Sequence, residues 1–218
     1  MKIQSVFIVP PLWGAPHTFK KAGYDLAKHP NEADAIVLMG GEDINPKLYE
    51  QHAHPRSYFN DARDENELRF IRQYRDKKPF IGICRGAQLL NVMAGGSMWQ
   101  HVLGHSGTHE VFIEPYKQIK RQTVITNSVH HQMMRPTGKA EIIGFAKTSP
   151  ARERMTELNQ HPSTIRQVET EGGDRHEDPE IVYYPDEAFF CFQAHPEFGH
   201  AETTKVFFDI MPKAFADN

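Results

Sequence analysis

Cysteine is nearly absent from this chain: among 218 residues there are only Cys84 and Cys191. Two thiols cannot make a disulfide framework, and a reducing compartment is expected. Long hydrophobic runs are missing as well. The apolar stretch Val6 to Val9 stops at Pro10-Pro11, too short for the core of a secretory leader and far too short to span a bilayer. A cytoplasmic setting without a membrane partner is therefore expected. Nor is there an excess of one charge: 25 Lys and Arg against 28 Asp and Glu leave a formal net charge of −3. That removes the electrostatic case for nucleic acid as a partner. No repeat, linker or low-complexity tract is visible. The remaining composition, 39% hydrophobic and 24% charged, fits a soluble globular chain with enough length to bury a sizeable core. One domain over residues 1–218 is expected.

What is present centres on Phe80-Ile81-Gly82-Ile83-Cys84-Arg85-Gly86-Ala87-Gln88. A run fit for a buried strand leads into a cysteine between glycines, and a helical pattern follows at once. Strand, nucleophile, helix is the order of a nucleophile elbow, here with sulfur in place of oxygen. Glycines at the flanks let neighbouring backbone approach closely. A thiol at a helix N-terminus gains from unpaired N–H groups and the helix dipole, which favour thiolate. Taken alone, the same residues also describe a buried structural cysteine in a tight turn.

The C-terminal half decides between these. In Phe192-Gln193-Ala194-His195-Pro196-Glu197 an extended backbone puts residues i and i+2 on one side, so His195 and Glu197 face one site together. A cysteine nucleophile needs a base, and the base works better when a third group fixes its tautomer. Cys84, His195 and Glu197 are therefore the candidate catalytic residues.

Gly82 to Gln88 and Gln193 to Glu197 together resemble the class I glutamine amidotransferase-like superfamily. Gly40-Gly41-Glu42-Asp43-Ile44-Asn45-Pro46, Arg63-Asp64, Gly95 to Gln100 and Asn127-Ser128-Val129-His130-His131-Gln132 narrow this to a branch. That set is similar to the γ-glutamyl hydrolases (peptidase C26-like), including γ-glutamyl-γ-aminobutyrate hydrolases. The resemblance covers most of residues 34–210. It implies a three-layer α/β sandwich with a mostly parallel central sheet, flavodoxin-like in arrangement. It also implies an oxyanion hole from the N–H groups of Gly41 and Arg85, although a lone Gly-Gly is usually an ordinary turn. Gln88, Ser128, Val129 and His130 are implied to hold the glutamyl part of a substrate, partly through backbone. For His130 a hydrogen-bonded structural role is the equal alternative.

The implied activity is cysteine-dependent hydrolysis of a γ-glutamyl amide, with a small γ-glutamyl compound or glutamine as substrate and no cofactor. Two other classes stand beside it. One is a glutaminase subunit that supplies ammonia to a separate synthetase; Arg85 after the nucleophile favours the hydrolase branch instead. The other is an inactive binding protein, against which an intact Cys84, His195 and Glu197 argue. A second copy of the chain is a further candidate partner.

Along the chain, Ile3 to Val9 and Ala35 to Met39 read as buried strands, with a short helix over Thr18 to Lys28 between them. Relatives usually fit another strand and helix before Gly40, so a shortened N-terminal edge of the sheet is expected. Asp43 and Asn45 should brace the loop after Gly41. Asp61 to Lys78 is the clearest helix, with Asp61 as N-cap and Leu68, Ile71 and Tyr74 on one face. Arg63, Asp64 and Glu67 read as structural ion pairs. Ala87 to Ala94 is the helix behind Cys84. Val111 to Glu114, Thr123 to Asn127, Ala140 to Ala146, Glu180 to Tyr184 and Ala188 to Phe192 read as strands, and His200 to Ile210 as a closing helix. Cys191 is expected to be buried packing. His101, His105 and His109 are regularly spaced, but glycines interrupt any helix there and no cysteine or paired carboxylate completes a tetrahedral set, so no metal is expected. The polar stretch 149–180 reads as an insertion, a solvated loop or else a lid or docking surface.

Overall fold

The computed structural model of the chain describes residues 2–10, 14–146, 153–155 and 178–216. Most of the 149–180 insertion therefore lies outside the described residues. The strands are β1 (Ser5–Ile8), β2 (Asp25–Leu26), β3 (Ala35–Leu38), β4 (Phe80–Ile83), β5 (Ser97–Trp99), β6 (His101–Leu103), β7 (Gly107–Ile113), β8 (Gln122–Ser128), β9 (Met133–Arg135), β10 (Glu141–Ala146), β11 (Glu153–Met155), β12 (Pro179–Tyr184) and β13 (Phe189–Phe192). The α-helices are α1 (Ala15–Lys21), α2 (Asp61–Tyr74), α3 (Arg85–Met93) and α4 (Ala201–Ala214).

Nine strands form one mixed sheet in the order β2-β1-β3-β4-β13-β12-β10-β7-β8. Pairing is parallel from β2 through β13 and antiparallel from β13 to β8. The parallel strands β3, β4 and β13 are buried at every position, as expected of strands covered on both faces. Their side chains alternate between two cores. Val37, Ile81, Ile83, Phe190 and Phe192 pack with Phe19 of α1 and Val206, Phe207 and Ile210 of α4. Ile36, Leu38, Phe80 and Phe189 pack with Leu68, Ile71 and Tyr74 of α2 and Leu89 and Leu90 of α3. Helices on both faces of one sheet make the expected three-layer α/β sandwich.

Three local expectations change. The helix expected over Thr18 to Lys28 starts at Ala15, ends at Lys21 and is followed by the edge strand β2; Gly23, at φ +90°, turns the chain there. That edge strand is two residues long, so the N-terminal margin of the sheet is short. The cap of α2 is Asn60, not Asp61: the Asn60 side chain accepts from the Arg63 N–H at 3.2 Å. Finally, β7 begins at Gly107 rather than Val111, which puts His109 on a strand. Among the described residues no helix is long and apolar enough to cross a membrane.

Candidate active site

Because β3, β4 and β13 are parallel neighbours, their C-terminal ends open on the same edge of the sheet, where ligands bind in open α/β sheets. Gly40-Gly41 follows β3, Cys84 follows β4, and His195 lies three residues beyond the end of β13. Cys84 caps α3 with φ +50° and ψ −109°, backbone that a non-glycine residue holds only under strain. The turn is fixed from both sides. A Cβ on Gly82 would lie 2.5 Å from the Ala87 nitrogen, and one on Gly86 would run into the Leu38 carbonyl. Cys84 N–H donates to the Phe192 carbonyl at 2.8 Å, tying the elbow to β13.

His195 is positioned by its neighbours on three sides. Its Nδ1 lies 2.8 Å from Glu197 Oε1. The Asn127 side chain clamps its backbone, accepting from the His195 N–H and donating to its carbonyl, both at 2.8 Å. Phe198 stacks on the ring at 4.3 Å between centroids and 7° between planes. The other ring nitrogen, Nε2, has no hydrogen-bond partner among the described residues and belongs to the cleft that Cys84 also lines. Burial disfavours the imidazolium, but the Cys84 sulfur and the Glu197 carboxylate outweigh it and push the His195 pKa up to about 10.

The cleft has a volume of about 370 Å³. Of the residues expected to bind substrate, Gln88, Val129 and His130 line it, as do Gly41, Asp43, His131 and Gln132. Ser128 does not: its hydroxyl is fully buried and donates to the His105 carbonyl at 3.0 Å. The two-residue alternation of β8 turns that side chain inward, which leaves Ser128 only its backbone for any substrate. Gln88 Nε2 donates to the Gln132 carbonyl at 3.1 Å, joining α3 to the loop after β8. Gly41 has φ +146°, open to glycine and strained for other residues. Arg85 opens α3, where first-turn N–H groups have no intrahelical partner.

Beneath this lies a buried ion network. Arg63 donates to Glu67 Oε1 at 2.9 Å and, through Nη2, to the Met39 and Gly40 carbonyls at 3.0 and 2.8 Å. It thus pins the backbone that leads into Gly41. The fully buried Arg85 pairs with Asp64 and Glu67. Asp64 also accepts from the Asn45 N–H at 2.9 Å, and Asp43 accepts from the Tyr58 N–H at 2.9 Å. The expected ion pairs and loop braces are all present.

The regularly spaced histidines do not form one group. His101 Nδ1 meets His131 Nδ1 at 3.2 Å, and His131 Nε2 meets Asp43 at 3.1 Å. His105 and His109 turn instead to Glu180, at 2.8 and 3.1 Å, and His130 packs against His105 with ring centroids 4.5 Å apart. No cysteine or paired carboxylate is expected from the sequence beside these histidines, but β12 carries one buried carboxylate, Glu180, across the sheet to them. Burial pushes the His130 pKa down to about 3, with the charge on His105 adding to it. Glu180 goes below the usual carboxylate range: burial opposes this, but His109 and His105 prevail.

With this geometry in place, comparison with known proteins becomes informative. The peptidase C26 family model matches residues 15–149. The chain belongs to the peptidase C26 family. It thereby falls in the class I glutamine amidotransferase-like superfamily. Protein NtpR of Enterococcus hirae is 34% identical over 125 residues, which are 48% of this chain and 52% of that protein. A YvdE homolog of Lactococcus lactis subsp. cremoris, described as glutamine amidotransferase-like, is 33% identical over 124 residues, 49% of this chain and 66% of that one. The carbamoyl phosphate synthase small chain of Aquifex aeolicus is 27% identical over 131 residues, 60% of this chain and 28% of that one. The chain thus spans about half to two thirds of the first two relatives. Among solved structures, PurLQS of Thermotoga maritima superposes with a TM-score of 0.63 at 16% identity, covering 97% of this chain and 98% of that one. That likeness shows the glutamine amidotransferase fold.

Proposed function

We propose that this peptidase C26 family member hydrolyses a γ-glutamyl amide through Cys84. The observation that carries the reading is the strained Cys84 (φ +50°) sharing one cleft with His195, whose Nδ1 is held by Glu197 at 2.8 Å. Only a residue whose geometry is fixed by its surroundings keeps such backbone, and such residues cluster at functional sites. In the proposed sequence the Cys84 sulfur attacks the γ-carbonyl carbon. The oxyanion that forms is held by the N–H groups of Gly41 and Arg85, donors already in place before charge develops. His195 Nε2 gives its proton to the departing amine, leaving a γ-glutamyl thioester on Cys84. His195 then takes a proton from water as that water attacks the thioester, and glutamate leaves with the thiol restored. Glu197 holds the imidazole in the tautomer that allows both transfers. Gln88, Val129 and His130 line the part of the cleft assigned to the glutamyl group.

A second reading is supported by the likeness to the carbamoyl phosphate synthase small chain: a glutaminase that hands ammonia to a partner synthetase. The two separate in one experiment. Glutamate release is measured from the isolated chain on γ-glutamyl amines, γ-glutamyl peptides and glutamine. Free hydrolysis of a γ-glutamyl amine or peptide, faster than that of glutamine, is expected. Activity on glutamine alone, present only after a second protein is added, would replace the hydrolase with the glutaminase.

A further inference from the structure

His130 presents an arrangement that hydrogen bonding alone does not explain. Its Nδ1 lies 2.8 Å from the Gln132 carbonyl, and a carbonyl can only accept, so Nδ1 carries the proton. In the neutral ring Nε2 is then a bare lone pair. That lone pair is buried, has no hydrogen-bond partner among the described residues, and faces a carboxylate oxygen of Glu180 at 4.0 Å. Two acceptors facing each other out of water repel, unless something positive lies between them. The second oxygen of Glu180, Oε2, is also buried without a partner. His105 Nε2 sits 2.8 Å from Glu180 Oε1, and His109 Nε2 lies 3.1 Å from the same oxygen. The donor atoms of His105, His130 and Glu180 all fall within 4.8 Å of one another.

We infer that His105, His130 and Glu180, with His109 as fourth donor, form a binding site for a divalent transition-metal ion of the zinc type. Three imidazoles and one carboxylate are a donor set that zinc accepts in tetrahedral geometry, with bonds of about 2.0–2.2 Å. The β6–β7 turn, the segment after β8 and strand β12 already bring the donor atoms of His105, His130 and Glu180 within 4.8 Å of one another. The outer hydrogen bond that metal-bound histidines make is in place for His130, and a carboxylate stands beyond hydrogen-bond reach of His105. Gln132 holds the far nitrogen of His130, and Asp178 Oδ2 stands 4.0 Å from the far nitrogen of His105. The ion would be enclosed, since His105, His130 and Glu180 are all buried. Its role would be to fasten the Asn127–Gln132 loop, which lines the cleft, to β12.

The test uses purified full-length protein freed of metal by chelation and titrated with Co²⁺, whose visible spectrum reports tetrahedral coordination. One equivalent should bind with a tetrahedral d–d band. Cys84→Ala should leave both stoichiometry and band intact, because the thiolate is outside the site. Glu180→Gln and His105→Ala should weaken binding at least tenfold. Zn²⁺ should displace the Co²⁺ and raise the wild-type melting temperature. The wild-type titration does not depend on whether any variant folds. Absence of stoichiometric Co²⁺ binding by wild type would overturn the site, as would binding lost in Cys84→Ala and kept in Glu180→Gln. Since these readouts are spectroscopic and thermal, the site stands or falls independently of which substrate Cys84 accepts.

Discussion

Two buried ionic clusters lie near the cleft, and they are built differently. Under the elbow, Asp64 and Glu67 are matched by Arg63 and Arg85, guanidiniums that stay charged at any pH a protein meets. Behind the Asn127–Gln132 loop, Glu180 is matched only by imidazoles, those of His105 and His109, with His130 beside them. The first cluster is a fixed scaffold that sets the Gly40-Gly41 backbone. In the second, balance depends on protonation or on a bound cation. The nucleophile elbow rests on the cluster whose cations do not titrate, and the Asn127–Gln132 loop on the one whose cations do.

The largest expected break of this comparison is on the arginine side. Arg85→Met leaves Asp64 and Glu67 buried without one of their cations, and removing one partner of a buried pair costs about 3–5 kcal/mol. Denaturant unfolding should show a loss of that size and no recovery with metal. Next comes Glu197→Gln, which keeps size but removes the charge that orients His195. We expect kcat to fall about a hundredfold or more with KM little changed, as for a group that acts through the general acid–base. A large rise in KM with kcat intact would place Glu197 in substrate binding.

The histidine cluster should show itself through pH. The folded His130 pKa of about 3 lies below the usual value near 6.5, so the unfolded chain binds the proton first. Glu180, whose pKa is lowered, contributes stability above the unfolded carboxylate value and loses it as pH falls through the folded one. These two signs agree, but His109 has the opposite one: burial lowers its pKa, and Glu180 outweighs that and raises it. Chelated wild type should therefore lose up to about 1.4 kcal/mol per pH unit more than His130→Gln on acidification below pH 6.5. Asp64 adds nothing to that loss, because burial raises its pKa and the folded state takes the proton first. Denaturation midpoints at pH 7.5 and 5.0 should diverge for wild type and converge for His130→Gln. The smallest effect is expected from Phe198→Ala. It removes a half-exposed ring stacked on His195, and aromatic pairs contribute about 0.5–1.5 kcal/mol beyond their buried area.

Much of this was legible in the sequence, for identifiable reasons. Phe80 to Gln88 and Phe192 to Glu197 announce their geometry because a strand-turn-helix with flanking glycines has few ways to fold. Arg63 and Glu67 lie four residues apart on α2, so their pairing follows from spacing, whereas Asp64 pairs with Arg85 across the structure. What escaped depends on contacts across the sheet. Glu180 lies 75 residues from His105, and only the order β12-β10-β7-β8 brings them together. The role of Asn127 escaped as well: its side chain holds the His195 backbone, 68 residues away. The inward turn of the Ser128 hydroxyl was not legible because a strand's alternation decides which way a hydroxyl points, and β8 extends one residue further than its pattern suggested. Asn60 escaped as a cap because Asp61 beside it offers the same chemistry.

The most direct test of the central claim is the mass of the protein quenched during turnover of a γ-glutamyl amide, followed by peptide mapping. The mechanism predicts one glutamyl group attached to the peptide that carries Cys84, sensitive to hydroxylamine as a thioester, and absent in Cys84→Ala together with all glutamate release. Cys191 is fully buried, and burial pushes its thiol pKa up, so it should stay unmodified. A glutamyl group on Cys191, or glutamate release that persists in Cys84→Ala, would contradict the account.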